Sequence, residues 1–284
     1  MTKHKSESLS KPIFLIFTFL LLTIPPLRGY SCTGIPDEEC DALFALYNST
    51  NGDQWTDSSN WLSSAPVDDW HGVRVENGHV ATITIGHNNL NGQIPAELGS
   101  LSSLEFLSLG GSGDNLTGSI PPELGSLSSL EYLSFSFTDL TGSIPSELGN
   151  MSNLEHLSLS HTRLSGSIPS ELGGLSNLVH LNLSGNNLTG LIPPELGNLN
   201  RLSGLILSFN ELEGTIPPEL GNMDSLVSLT LEHNNLTGEI PPALQNLSNL
   251  ERLNLSWNHL TGSIPPGLGE LDRKSTRLNS SHYS

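Results

Sequence analysis

Between Ser31 and Leu271 the chain has no lysine and only four arginines: Arg74, Arg163, Arg201 and Arg252. The same segment carries 27 Asp and Glu, which sets its formal charge at −23. Nucleic-acid binding draws its affinity from Lys and Arg displacing counterions, so this shortage excludes it. Anionic lipid surfaces are disfavoured for the same reason. Cysteine is nearly absent as well. Only Cys32 and Cys40 occur, too few for a disulfide scaffold. There is also no apolar run of about 20 residues, the length a helix needs to span a bilayer. The longest, Ile13–Ile24, has twelve.

That short run follows Lys3, Lys5 and Lys11, and small residues stand at Gly29 and Ser31. The arrangement predicts a secretory signal peptide over residues 1–31, and hence an extracellular or cell-surface protein. In an oxidising compartment Cys32 and Cys40 are expected to form a local disulfide, provided cleavage spares Cys32. No Ser-His-Asp or Cys-His arrangement stands out, no cofactor motif is present, and no tight metal-ligand spacing occurs. The residues present are read as non-catalytic.

Glycine (28) and proline (18) are plentiful, and they are periodic. Aligned at leucines, the chain reads "LSSLEYLSFSFTDLTGSIPSELGN" from Leu127, "MSNLEHLSLSHTRLSGSIPSELGG" from Met151 and "LSNLVHLNLSGNNLTGLIPPELGN" from Leu175. Further copies start at Leu199, Met223 and Leu247, all with a 24-residue period. A partial copy starts at Val80. The copy from Leu101 is 26 residues long because of "GGSGDN", which lacks the Lys-Ser/Thr of a phosphate loop and reads as a loop insertion. In Leu178-x-x-Leu181-x-Leu183 the last pair alternates, so both side chains leave one face of a short strand. Leu188, Ile192 and Leu196 belong to a segment that turns back over the core. A single coil cannot bury enough to fold alone, so the array is the unit of stability.

The pattern L-x-x-L-x-L-x-x-N-x-L-x-G-x-I-P resembles the plant-specific leucine-rich repeat of receptor-like proteins and receptor kinases. The resemblance spans residues 80–271 and eight coils. It implies a mostly β, α/β-class solenoid: a right-handed, curved superhelix with a parallel concave sheet. It implies that the column Asn88, Asp114, Thr138, Thr162, Asn186, Asn210, Asn234 and Asn258 bonds backbone between coils, with the shorter Thr weakening the ladder at the third and fourth. Residues 32–79 resemble the family's helical N-terminal cap, with Leu43, Leu46 and Tyr47 at helical spacing and Trp55, Trp61 and Trp70 as anchors. The family's cap often has "WxGVxC"; here "WHGVRV" places Val75 where that cysteine would stand.

Positions beside the strand leucines are free of core duty, and in the family they contact ligands. One column holds Phe106, Tyr132, His156, His180, Gly204, Ser228 and Arg252. Another holds His87, Gly111, Phe137, His161, Gly185, Phe209, His233 and Trp257. Aromatics beside small polar groups suit protein or peptide recognition; the bland alternative is a set of lightly constrained solvent-facing positions. Glu97, Glu123, Glu147, Glu171, Glu195 and Glu219 recur at one outer position and read as a solvated acidic row. Sequons at Asn48, Asn115, Asn150, Asn182, Asn187, Asn235, Asn246 and Asn254 are candidate glycosylation sites. Glycans at Asn182 and Asn254 would obstruct part of the concave face.

The expected function is extracellular recognition of a protein or peptide ligand, with a co-receptor as a further partner, by part of a receptor ectodomain. The alternative is a freestanding secreted inhibitor of wall-degrading glycosidases. The repeat stops after Leu271. Residues 272–284 resemble a translated sequencing adapter, so they are set aside as non-native. The natural protein is then expected to continue, with a membrane anchor and a kinase as the family's usual sequel.

Overall fold

The structure is a computed structural model that describes residues 32–269. The predicted signal peptide and the tail expected to be non-native lie outside the described residues. An α-helix, α1 (Asp37–Ser49), opens the fold. Its Asp37, Glu38 and Glu39 favour the positive end of the helix dipole, and Leu43, Leu46 and Tyr47 turn inward as their spacing predicts. Cys32 and Cys40 form a disulfide with Cα atoms 5.7 Å apart, tying the entering chain to α1.

The cap is more than a helix. Strand Val73–Glu76 pairs antiparallel with strand His79–Thr84 through Asn77-Gly78. Both turn residues take positive φ, 52° and 80°, as a two-residue hairpin demands. Val75 sits in this hairpin opposite Val80, and its N–H donates to Asp68 Oδ1 at 2.6 Å. Tyr47, Trp55, Trp61 and Trp70 are buried and form a ring cluster beneath α1, with centroids 4.9–6.0 Å apart.

Strand His79–Thr84 also begins the concave sheet. Seven more parallel strands follow in chain order: 106–108, 132–134, 156–158, 180–182, 204–206, 228–230 and 252–254. With the cap strand the sheet has nine members. Each coil returns through a second short segment and a 3-10 turn such as Pro194–Asn198. Five of the return segments form a second parallel sheet. Inside, leucine columns run the length of the solenoid; Leu107, Leu133, Leu181, Leu205 and Leu229 are fully buried. The last described coil is covered less, with Ile264 half exposed. The 3-10 turns stack so closely that a Cβ on Gly197 would collide with the Glu219 carbonyl of the next coil. The acidic row of Glu97 to Glu219 occupies the first residues of these turns and is exposed.

The Asn column bonds coil to coil. Asn210 Nδ2 donates to Leu183 O in the preceding coil at 3.0 Å and to Leu207 O in its own at 3.1 Å, while its Oδ1 accepts from Leu188 N–H at 3.1 Å. Asn186, Asn234 and Asn258 repeat this pattern. Asp114, which has no amide donor, instead accepts from the N–H groups of His87, Asn88 and Leu90. Thr138 reaches only its own coil, at Phe135 O. Thr162 reaches forward to the Asn186 side chain. Where Thr138 stands, a serine relay links neighbouring coils: Ser136 Oγ lies 2.7 Å from Ser158 Oγ and accepts from Ser160 Oγ at 3.0 Å.

Candidate functional site

The strand register puts equivalent residues of successive coils side by side. Phe106 pairs with Tyr132, Tyr132 with His156, His156 with His180, and His180 with Gly204. Their rings form a continuous ladder. Phe106 and Tyr132 stack with centroids 4.0 Å apart and planes within 3°, while Tyr132–His156 and His156–His180 follow at 5.7 and 4.8 Å. Burial in this ladder, and then the neighbouring His156 charge, hold His180 below the usual histidine range. Gly204 ends the run. Arg252 lies on the same column, beyond Gly204 and Ser228, so the structure does not bring it to the rings.

A second column lies just past the strands. Phe137, His161, Phe209, His233 and Trp257 all hold positive φ, 53–60°, the left-handed region. That backbone lifts each ring away from the core and over its neighbour. Two stacks result. Phe137 and His161 have centroids 4.7 Å apart. Phe209, His233 and Trp257 continue at 4.4 and 5.0 Å. Phe137, Phe209 and Trp257 are half exposed or more. Gly185 divides the stacks. Between the two columns run Ser108, Ser134, Ser158, Asn182, Ile206, Thr230 and Asn254. Asn182 Oδ1 accepts from Ser184 and Asn254 Oδ1 from Ser256, so both half-buried sequon amides are engaged. The other six sequon asparagines are exposed.

Sequence reasoning placed the ring columns but missed three features. These are the left-handed backbone of the second column, the glycine breaks as gaps in a stack, and Thr230, whose buried Oγ1 meets no hydrogen-bond partner. The signal for the first was present. Gly recurs at this position, and Gly takes left-handed φ without strain. Away from the rings, a shallow groove of about 800 Å³ runs across the turns of three coils, lined by Ser119, Ile144, Pro145, Glu147, Ser167 and Glu171. It holds no ring or imidazole, and Ser146 and Ser170 each hydrogen-bond their adjacent Glu. The aromatic and imidazole ladders lie on the concave face instead. Among the described residues no three His, Cys, Asp or Glu are grouped to hold a metal ion, and no helix is long and apolar enough to cross a membrane.

Comparison with known proteins agrees with this geometry. The leucine-rich repeat region family matches residues 145–268, and a leucine-rich repeat matches 129–151. The chain is a leucine-rich-repeat protein. Its repeats resemble those of plant receptor ectodomains. The ectodomain of the Arabidopsis receptor kinase HAESA, solved with an N-terminally extended IDA peptide hormone, is 31% identical over 83% of this chain and 44% of its own (TM-score 0.64). The ectodomain of Arabidopsis thaliana GASSHO1/SCHENGEN3, solved with CASPARIAN STRIP INTEGRITY FACTOR 2, is 36% identical over 76% of this chain and 29% of its own (TM-score 0.62). This leucine-rich-repeat chain therefore spans less than half the length of either receptor ectodomain. It also matches a plant ice-binding protein, 28% identical over 84% of this chain and 92% of that one (TM-score 0.57). A search of curated proteins gave no match.

Proposed function

We propose that this leucine-rich-repeat protein is an extracellular recognition module that binds a peptide or protein ligand on its concave face. One observation carries the reading: two ladders of partly or fully exposed aromatic and imidazole rings stand at regular spacing along one sheet. Rings already ordered by stacking lose little entropy when a partner lands on them. The HAESA ectodomain was solved with a peptide hormone and also with a co-receptor, which supports a peptide ligand and a co-receptor here. Secretion through residues 1–31, glycans on exposed sequons and a role as part of a cell-surface receptor complete the reading. The test is capture of extracellular peptides on the immobilised secreted chain. The double substitution Tyr132→Ala/His156→Ala should weaken a captured ligand at least tenfold while the melting temperature stays put. Undiminished binding by that variant would move recognition off this face.

The match over 92% of the ice-binding protein favours a second reading, adsorption to ice. The return segments present exposed hydroxyls one coil apart at Thr141, Ser165 and Thr189 and again at Thr237 and Thr261, with Glu213 interrupting the row. The check is ice recrystallisation at micromolar protein. Crystals that coarsen as fast as in buffer would remove this reading.

A further inference from the structure

The second ring column is a stack with one rung left open. His161, Gly185 and Phe209 belong to three successive coils. Gly185 has φ +68°, the same left-handed conformation as its ring-bearing column mates. Gly111, the column's other glycine, lacks that conformation and is buried within the "GGSGDN" insertion, so among the described residues only Gly185 leaves an open rung. His161 leans over it: a Cβ added to Gly185 would come within 2.7 Å of His161 Nδ1. Rings in the filled parts of the column sit 4.4–5.0 Å apart. Coils repeat at about 4.8 Å, so the backbone positions of His161 and Phe209 stand roughly 9–10 Å apart, and the His161 ring leans into that interval. That interval admits one planar group, stacked on both sides. Gly204, paired with His180, leaves the first column open one coil further on, in the coil of Phe209.

We propose that the slot between His161 and Phe209 takes the guanidinium of an arginine side chain from the ligand. Three observations select arginine over other planar groups. Both walls are π faces, and guanidinium is the flat cation that stacks on them. The chain from Ser31 to Leu271 as a whole carries −23 with no lysine, so its field favours a cation. Glu211 places an exposed carboxylate two residues beyond Phe209, whereas Arg163, on the opposite side, is already paired with Asp139 at 2.8 Å. The assignment rests on the concave face being the recognition surface, and it names a side chain that surface reads.

The test titrates the full chain with N-acetyl-arginine amide, N-acetyl-lysine amide and N-acetyl-tryptophan amide, following the ring resonances of His161 and Phe209. The arginine probe should shift both rings and bind at least fivefold more tightly than the other two. Gly185→Phe puts the chain's own ring in the slot, in a conformation Phe137 and Phe209 already adopt, and should abolish the arginine response. Phe209→Ala removes one wall and should weaken it several-fold; this variant decides the matter if Gly185→Phe fails to fold. Equal binding of lysine, tighter binding of tryptophan, or an arginine response that survives Gly185→Phe would each overturn the assignment. A captured natural ligand that Gly185→Phe does not disturb, but Tyr132→Ala/His156→Ala does, would remove the slot and leave the concave-face reading standing.

Discussion

At the scale of single residues, the Asn column shows how one side chain can tie two coils together. Asn210 is buried and makes bonds to both its own coil and the preceding one. Asn210→Ala strips the acceptor from Leu188 N–H and the donor from two carbonyls, all away from water. The expected loss is about 2–3 kcal/mol in chemical denaturation, since buried groups left unpaired cost about 1–3 kcal/mol. The reverse experiment belongs to the third coil. There no side chain of the next coil accepts from Leu116, because Thr138 reaches only Phe135. Thr138→Asn should add the missing bond and raise stability by roughly 0.5–1 kcal/mol. A loss of stability in that variant would mean the serine relay needs the smaller residue. His180 supplies a pH prediction. Burial and then His156 lower its folded-state affinity for protons, so the native state binds fewer protons than the unfolded one. Its contribution is therefore present above the ordinary value of 6.5 and is lost as pH falls below it. Denaturation midpoints at pH 7.5 and 5.0 should drop less in His180→Gln than in the parent chain. The group is largely solvated, so the difference is small.

At the scale of elements, a buried carboxylate is one of the ties between the cap and the repeats. Glu39 of α1 contacts His79 Nδ1 and accepts from Val80 N–H, both at 2.7 Å, at the start of the first parallel strand. Glu39→Ala should leave Val80 N–H buried without a partner and cost about 2 kcal/mol. Hydrogen exchange should speed up in 37–49 and 79–84 while the coils past 150 keep their protection, because a solenoid propagates strain mainly to its neighbours. Uniform acceleration would show the array to be more cooperative than that. The elements were legible from sequence to very different degrees. The coil period, the buried leucine columns and the strand positions follow from spacing, because a 24-residue copy leaves only one way to stack. The ring ladder was legible for the same reason: register between identical coils is fixed. The Asn77-Gly78 hairpin was not extracted, although its dipeptide signal stands in the chain, because the period begins beside it and masks the strand before it. The divided second column was hidden for a different reason. Whether a glycine is a spacer or a gap depends on backbone φ, which residue identity leaves open.

At the scale of the whole molecule, charge and shape act together. Between Ser31 and Leu271, 27 carboxylates face four guanidiniums, and the exposed pairs that do form, such as Arg74 with Glu76, neutralise little of the excess. Such a field reaches about 8–10 Å at physiological ionic strength and further at low salt. It changes how fast a partner arrives more than how tightly it stays, since steering acts on the encounter. The rings of the concave face act on the other side of the balance, through contact and desolvation that salt hardly touches. Association and dissociation should therefore separate under salt. For a captured peptide ligand, raising NaCl from about 20 to 500 mM should slow association by roughly tenfold or more if the ligand is cationic, and leave dissociation within about twofold. Tyr132→Ala/His156→Ala should do the opposite, speeding dissociation while the salt dependence of association persists. A ligand whose association quickens with salt would carry negative charge, and with it the arginine reading of the Gly185 slot would fall while the ring ladder kept its role.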